Sequence, residues 1–411
     1  MHTPPLSSTT PCVFFDDARG TLGPLTSLRA SFEIRTGGFT TAQRLASTLA
    51  LEPIAVYAPT QVAGIVSHRW SIPVNAMPKA LPDEPVLVIN GRCALPLDVL
   101  RDIEPGQAAV EEESGDLICA RLAASEVVRL LAGEDPTREQ ITVHDRALLR
   151  RPWDVIAHRN QTIDCDLRIL ETGPTRDPAG AVFLVGDHPM RVDPSAKVSP
   201  GVTLDATDGP IVIERHATLR PGAVIIGPAI IGPSCVITEQ AIVRANSAIG
   251  PVCKVGGEVG GVIFQGYANK AHEGYLGDSW VGEWVNLGAG TFSSNLLNTY
   301  SEISAVAAPG LPRERTGLQF FGCVLGDHTK TAIGTRIMTG AVAGTGVMWA
   351  ATPPMTGCVP AFAWVTDAGQ RLTRLGKFLE VARTVMGRRD IEPGEAYLRR
   401  LEALHQQADA N

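Results

Sequence analysis

From Ile213 onward an aliphatic side chain returns every six positions: Ile213, Leu219, Ile225, Ile231, Ile237, Val243, Ile249 and Val255. Four residues after each of the first seven stands a small one: Ala217, Ala223, Ala229, Cys235, Ala241, Ser247 and Cys253. Helices repeat at 3.6 residues and strands at 2, so neither accounts for this spacing. A period of six is the signature of a parallel β-helix in which three hexads close one triangular coil. Each hexad supplies a short flat strand and a corner. The aliphatic residue points into the prism, and the small one fits the crowded interior beside the bend. Coils stack at strand spacing, roughly 4.8 Å, so each interior residue lies over the one 18 positions earlier. Cys235 and Cys253 are such a pair, expected as stacked interior thiols rather than a required disulfide.

The same pattern starts earlier, at Val192, Val198 and Leu204, then slips by three residues over ATDGP. It breaks between Val255 and Val281, resumes as VGEWVN and LGAGTF, and returns as IGTRIM, TGAVAG and TGVMWA over 333–350. A regular coil is scaffold, and excursions from it build sites. The break contains NKAHEGYLGD, residues 269–278, with a histidine in a run too rich in glycine for a helix.

Residues 1–180 have another texture. CVFFDD (12–17), PIAVYA (53–58) and PVLVIN (85–90) predict buried strands, while TTAQRLASTLALE (40–52) and RLAASEVVRLLAG (121–133) predict helices. That alternation suggests an α/β sheet domain. ETGPTRDPAG (171–180) is turn-forming and reads as a linker. Beyond the PP and GCVP stretch (353–360), RLTRLGKFLEVARTVMGRR predicts an amphipathic basic helix that packs or contacts another copy, and the final QQADAN is expected to fray. The expected division is 1–180 α/β, 181–360 β-helix and 361–411 helical tail.

Composition narrows the function classes. The chain has 411 residues, too many for one ordinary core, and its 41 glycines against 5% aromatics suit turn-dense β structure. A net charge of −7 argues against a general nucleic-acid binder, while leaving room for a local basic pocket. The eight cysteines show no CxxC pair or disulfide spacing, which fits small buried hydrophobes in a reducing compartment. No signal peptide is read at MHTPPLSSTTPCVFF and no apolar run is long enough to span a bilayer, so no membrane partner is expected and the cytoplasm is the expected location.

The broken coil carries a resemblance. His272, the run Tyr275-Leu-Gly-Asp278, and Asn286-Leu-Gly-Ala-Gly-Thr291 through Asn295 resemble the acetyltransferase half of the bifunctional glucosamine-1-phosphate acetyltransferase/N-acetylglucosamine-1-phosphate uridylyltransferase family. The full chain is similar to a variant branch of sugar nucleotidyltransferases with hexapeptide C-termini. The shared runs are FFDD…PLT, INGR, NKAH, GEWVNLGAGT, GDHTKTAIGT and Pro360-Ala-Phe-Ala-Trp364.

The resemblance implies an α/β nucleotidyltransferase-like domain, a left-handed β-helix and a C-terminal helix. It also implies a homotrimer that binds acetyl-CoA between neighbouring prisms and acetylates the amine of an amino-sugar phosphate. An attacking amine must lose its proton, and histidine titrates where that is practical at neutral pH; His272 is the implied general base. The developing oxyanion suits a backbone N–H at a glycine-rich bend, here Ala289. Asn286, Tyr275 and Asn295 would hydrogen-bond the sugar, and Thr335 matches a CoA-contacting position.

Departures from the family bear on the substrate. The family's phosphate-binding lysine falls on Gly260, and Arg244 is the nearest counterpart of its arginine partner. Lys270 could serve the phosphate or be a solvated charge. Leu296 replaces a tyrosine that follows the second asparagine. In the N-terminal half, DDARGTLGPLTSLR keeps one glycine of the expected G-x-G-T-R loop, and Arg92 stands where a Mg²⁺-binding aspartate is expected. A cation there repels Mg²⁺. Arg19, Arg29, Arg35 and Arg92 could instead grip a phosphorylated sugar or a nucleotide such as UTP. Asp16 and Asp17 are ambiguous, and Asp164 with Asp166 in IDCDL could restore a metal site. Two readings of this half stay open: an active nucleotidyltransferase using Mg²⁺, or a domain that binds without catalysing.

Two other uses of the prism compete. Hexapeptide carbonic anhydrases need a close histidine pair and a third on a neighbouring coil, whereas those at 188, 216, 272 and 328 are isolated, so no metal site is expected. A trimerising scaffold would not need His272, Tyr275, Asn286 and Asn295 gathered at an interrupted coil.

Overall fold

The computed structural model describes residues 9–178 and 180–410. They form two compact units. One holds the described residues up to Arg19, Arg29–Glu33 and Thr40–Leu149. The other holds Gly20–Leu28, Ile34–Phe39 and the described residues from Arg150 onward.

The first unit is a mixed sheet. Its strands are β1 (Thr10–Phe15), β2 (Leu51–Tyr57), β3 (Val86–Asn90), β4 (Gln107–Glu111), β5 (Leu117–Leu122) and β6 (Glu139–Val143), in spatial order β2-β1-β3-β5-β4-β6. β1 runs parallel to β2 and β3, and β5 runs antiparallel to β3 and β4. The three strands expected from buried apolar runs are present. The helix expected at 40–52 spans Thr41–Leu49, where Thr40 and Gln43 form a reciprocal cap. The run 121–133 divides instead: Arg121 and Leu122 finish β5, and the helix is Ala124–Leu131. LICARL alternates apolar and polar positions only partly, because both faces of this central strand are covered.

In the second unit the hexad residues are the core of a parallel β-helix. Every aliphatic from Ile213 to Val255 and every small partner from Ala217 to Cys253 is at most 1% exposed. Ile211 pairs with Ala229 and Ala229 with Ser247, the full three-hexad step. Cys235 and Cys253 are both free thiols, and burial pushes Cys253 well above its usual value. The slip over ATDGP is one enlarged coil, in which Thr203 pairs with Val224. The fold class expected from the sequence is the observed one: an α/β domain, a hexapeptide β-helix, then C-terminal helices.

The coil shrinks where the pattern breaks. Ala248 pairs with Ile263 and Lys254 with Asn269, a step of 15 residues in place of 18. Trp280 then pairs with Val324, because the chain leaves the prism after Phe292–Ser293 for an excursion containing a short antiparallel ribbon, Ser304–Ala305 with Glu314–Arg315.

Helices cover two parts of the prism. Ile163 and Leu167 of the helix Arg159–Leu170 pack on Val212, Ile230 and Ala248, outward residues of one face. Near the end, the strands Ala363–Thr366 and Gly369–Leu372 precede the helix Leu375–Gly387, which buries Phe378, Leu379, Ala382 and Met386. A second helix, Glu395–Asp409, follows. The expected fraying is therefore corrected: helix persists to Asp409, anchored by buried Tyr397 and Leu401.

Candidate functional site

Two faces of the prism matter for the site. The strands Lys254–Val255 and Asn269–Lys270 lie on one face, and Ile242–Val243, Glu258–Gly260 and Tyr275–Gly277 on the next. His272 sits at the corner between them. A groove of about 460 Å³ runs along that corner, lined by Glu239, Lys254, His272, Glu273 and Ala289 with adjoining turn residues. His272 and Ala289 are both exposed on it, one coil apart. The carbonyl of Ala289 accepts from the N–H of Gly334 at 2.7 Å, and its own N–H has no backbone acceptor among the described residues.

The corner is held from beneath by Lys270. Its ammonium is buried, only 2% of the residue being exposed, and Nζ donates to the carbonyls of Gly256 and His272, each at 2.9 Å. Burial alone pushes the lysine down to about 8, while the two carbonyls favour the proton. Lys270 is thus neither a phosphate grip nor a solvated charge; it braces the backbone of the histidine. Gly274 permits the bend, with φ +122° and a Cβ position that would fall 2.0 Å from the carbonyl oxygen of Thr291.

On the adjoining face Tyr275 and Asn295 meet. Asn295 Nδ2 donates to Tyr275 Oη at 3.1 Å and to Asp278 Oδ2 at 2.6 Å. Arg159 Nη1 closes the network on Asp278 Oδ1 at 2.6 Å and on the carbonyl of Gly261 at 2.7 Å. Burial raises the Tyr275 hydroxyl, and the charges of Asp278 and Glu258 add to it. Arg244 lies on the same face, paired with Glu258 at 2.5 Å. A Cβ on Gly260 would meet Arg244 Cβ at 3.1 Å, so the missing lysine position is the floor under this arginine.

Two expected site residues lie elsewhere. Asn286 is on the flat of the other face, where Asn269 Nδ2 donates to its Oδ1 at 2.8 Å, and it lines a different groove from His272. Thr335 is buried, and its hydroxyl donates to the Ala332 carbonyl at 2.9 Å within its own turn. Its side chain offers CoA no exposed donor.

In the first unit, Arg92 is fully buried between two carboxylates. Nη2 lies 2.5 Å from Asp17 Oδ2 and 2.6 Å from Asp116 Oδ2, and Arg19 reaches the other Asp116 oxygen at 2.5 Å. Burial works against the Arg92 charge, but its hydrogen bonds to Asp17 and Asp116, and their charges, outweigh it and hold the guanidinium above its usual range. Asp116 is drawn below the usual carboxylate range: burial opposes this, and Arg92 and Arg19 prevail. Asp16 accepts from the N–H groups of Ala18 and Ser31.

The expected four-arginine grip is corrected. Arg29 is buried in the first unit, and Arg35 belongs to the second, where its backbone N–H donates to Gln265 and its carbonyl accepts from Trp280. Asp17 and Asp116 are spent on guanidinium groups and Asp16 on backbone N–H groups, so the residues do not fit a Mg²⁺ ion. Asp164 and Asp166 do not restore one: Asp164 is exposed beside Arg168, whereas Asp166 is buried and accepts from the Phe39 N–H. They are two apart on a helix and face different ways.

Sequence reasoning missed Glu239, Lys254 and Glu273 in the corner groove, and Asp278 and Arg159 in the Tyr275 network. Glu239 and Glu273 follow the ends of strands on one face, a position the hexad register could have indicated.

Residues 12–175 match the sugar nucleotidyl transferase family. The bifunctional protein GlmU of Desulfitobacterium hafniense is 30% identical over 217 residues, covering 50% of this chain and 47% of that protein. GlmU of Nostoc sp. (strain PCC 7120) is 25% identical over 215 residues, 47% of this chain and 44% of the relative. The likeness to the bifunctional family read from the motifs stands on these matches. The chain spans about half the length of the curated relatives it matches. Among solved structures, the acetyltransferase domain of PglB from Neisseria gonorrhoeae is 11% identical, covers 66% of this chain and all of that one, and has a TM-score of 0.19, too slight to bear on function.

Proposed function

We propose that the chain is an acetyl-CoA-dependent N-acetyltransferase acting on an amino-sugar phosphate, working as a homotrimer in the cytoplasm. One observation carries this: His272 and Ala289 line the same solvent-open groove at one corner of adjacent coils. His272 accepts a proton from the sugar amine as nitrogen attacks the thioester carbon. The N–C bond forms, and the carbonyl electrons move to an oxyanion that the Ala289 N–H meets. Collapse breaks the C–S bond, and the leaving thiolate takes its proton from the imidazolium. Lys270 holds the His272 backbone, while Tyr275, Asn295 and Arg244 present the adjoining face to the sugar phosphate.

The N-terminal unit is read as a nucleotidyltransferase-like domain that binds a sugar phosphate or nucleotide without transferring it. The Arg92 pair with Asp17 and Asp116 favours that reading over the active one.

The test is thiol release from acetyl-CoA with glucosamine-1-phosphate and other amino sugars. Release should depend on the amino sugar and fall by about 10²–10⁴-fold in His272→Ala. Release that is unchanged in the variant, or absent with every amine, overturns the proposal. Pyrophosphate release from UTP and N-acetylglucosamine-1-phosphate in the presence of Mg²⁺ would overturn the binding-only reading of the first unit.

A further inference from the structure

The face carrying Asn286 has its own groove, of about 290 Å³, at the other end of the strands from His272. Asn269, Trp284, Asn286, Lys330, Arg388 and Arg389 line it, and no lining residue is acidic. Lys330 is the unusual member. Its ammonium nitrogen is buried and has no hydrogen-bond partner among the described residues. Burial alone depresses it, to about 8. A buried charge left without a counter-charge costs several kcal/mol unless something compensates it. Arg388 and Arg389 leave the end of the helix Leu375–Gly387 beside it, exposed and in no ion pair among the described residues.

We propose that this groove is a second ligand site, built for a small phosphorylated molecule and independent of acetyl transfer at His272. Three cations converging on one cavity match a doubly charged oxyanion better than a single carboxylate. The cavity volume suits a small phosphate ester or diphosphate rather than a polymer. The amides give the site a fixed orientation: Asn269 Nδ2 is used on Asn286 Oδ1, which leaves Asn286 Nδ2 as a donor into the groove. Trp284 forms a rigid wall, held by stacking on Tyr267 at 4.6 Å between centroids and 19° between planes. The cations come from separate elements, a late coil and the C-terminal helix, so the site exists only once that helix is docked.

The test is calorimetric titration of the full chain with pyrophosphate and, separately, inorganic phosphate. The two arms distinguish a diphosphate from a single phosphate as the preferred group. Lys330→Met and the double variant Arg388→Ala/Arg389→Ala should each weaken binding by about tenfold or more, the scale of one charge-assisted hydrogen bond. The double variant changes only exposed side chains, so its result does not depend on core stability. Arg383→Ala removes an exposed arginine of the same helix that lines a neighbouring depression, and should change affinity by less than about twofold. His272→Ala should bind as wild type does. The proposal is overturned by an absence of saturable binding at millimolar pyrophosphate or phosphate. It is equally overturned if binding survives both groove variants or disappears in His272→Ala.

Discussion

Replacing Lys330 by methionine should stabilise the second unit, and by an amount that depends on pH. The lysine sits with its ammonium buried and unbonded, and burial lowers it from 10.5 to about 8. Each unit of difference corresponds to about 1.4 kcal/mol, so the charged form carries a cost of about 3 kcal/mol in the folded state. Below pH 8 both folded and unfolded chains hold the proton, and that cost is present in full. Between about 8 and 10.5 the unfolded chain binds more protons, so stability rises with pH. Above that window the cost is gone. The methionine variant lacks this dependence. Its advantage should be about 3 kcal/mol at pH 7 and shrink by about 1 kcal/mol by pH 9. Buried thiols such as Cys323, raised from 9.0 to about 12, act with the opposite sign above pH 9 but are common to both proteins. Urea unfolding followed by tryptophan fluorescence is suitable, because five of the six tryptophans follow residue 150. A variant less stable than wild type at pH 7, or an advantage equal at pH 7 and 9, would refute the reasoning. The same substitution is expected to weaken phosphate binding by about tenfold or more, so stability and ligand affinity move in opposite directions.

Other substitutions probe the remaining arrangements. Arg92→Ala leaves Asp17 without its cation and Asp116 with Arg19 alone, and should destabilise the first unit by about 3–5 kcal/mol, read as a lowered midpoint in its unfolding transition. Gly274→Ala places a methyl against the Thr291 carbonyl at a φ that L-residues avoid, and thermal melting should show a loss of at least about 1–3 kcal/mol. Lys270→Met removes the brace beneath His272; kcat for acetyl transfer should fall while the KM for acetyl-CoA changes little, and an unchanged kcat would argue against a positioning role. Asn295→Ala breaks the link between Tyr275 and Asp278 and should raise KM for the amino sugar more than for acetyl-CoA.

Much of this was written locally. Ile213 to Val255 and their small partners are all interior, because in a β-helix the inward direction recurs at fixed chain spacing. The strands at 10–15 and 86–90 were legible because a strand buried on both faces is a continuous apolar run, whereas 51–57, a half-exposed edge strand, showed through the apolar run of residues 54–57. β5 was harder, since its terminal residues continued smoothly into a helical pattern. That His272 lies in an interruption of the coil was legible from the break in the repeat; that it stands at a corner between two faces was not.

The sequence alone determined the prism, its interior and the place where it is interrupted. Only the tertiary structure decided which polar residues share a groove. Asn286 and Ala289 are three residues apart, yet one lies on a flat face and the other at a corner, because an extended strand of that length carries successive residues to opposite ends of a face. Tertiary structure also put Lys330 beside Arg388 and Arg389, 58 and 59 residues on, and Arg92 between Asp17 and Asp116, at separations of 75 and 24 residues. Periodicity records the direction a side chain takes from its own backbone. It does not record the partner it meets, and for a buried charge the partner decides whether the group braces, binds or only costs stability.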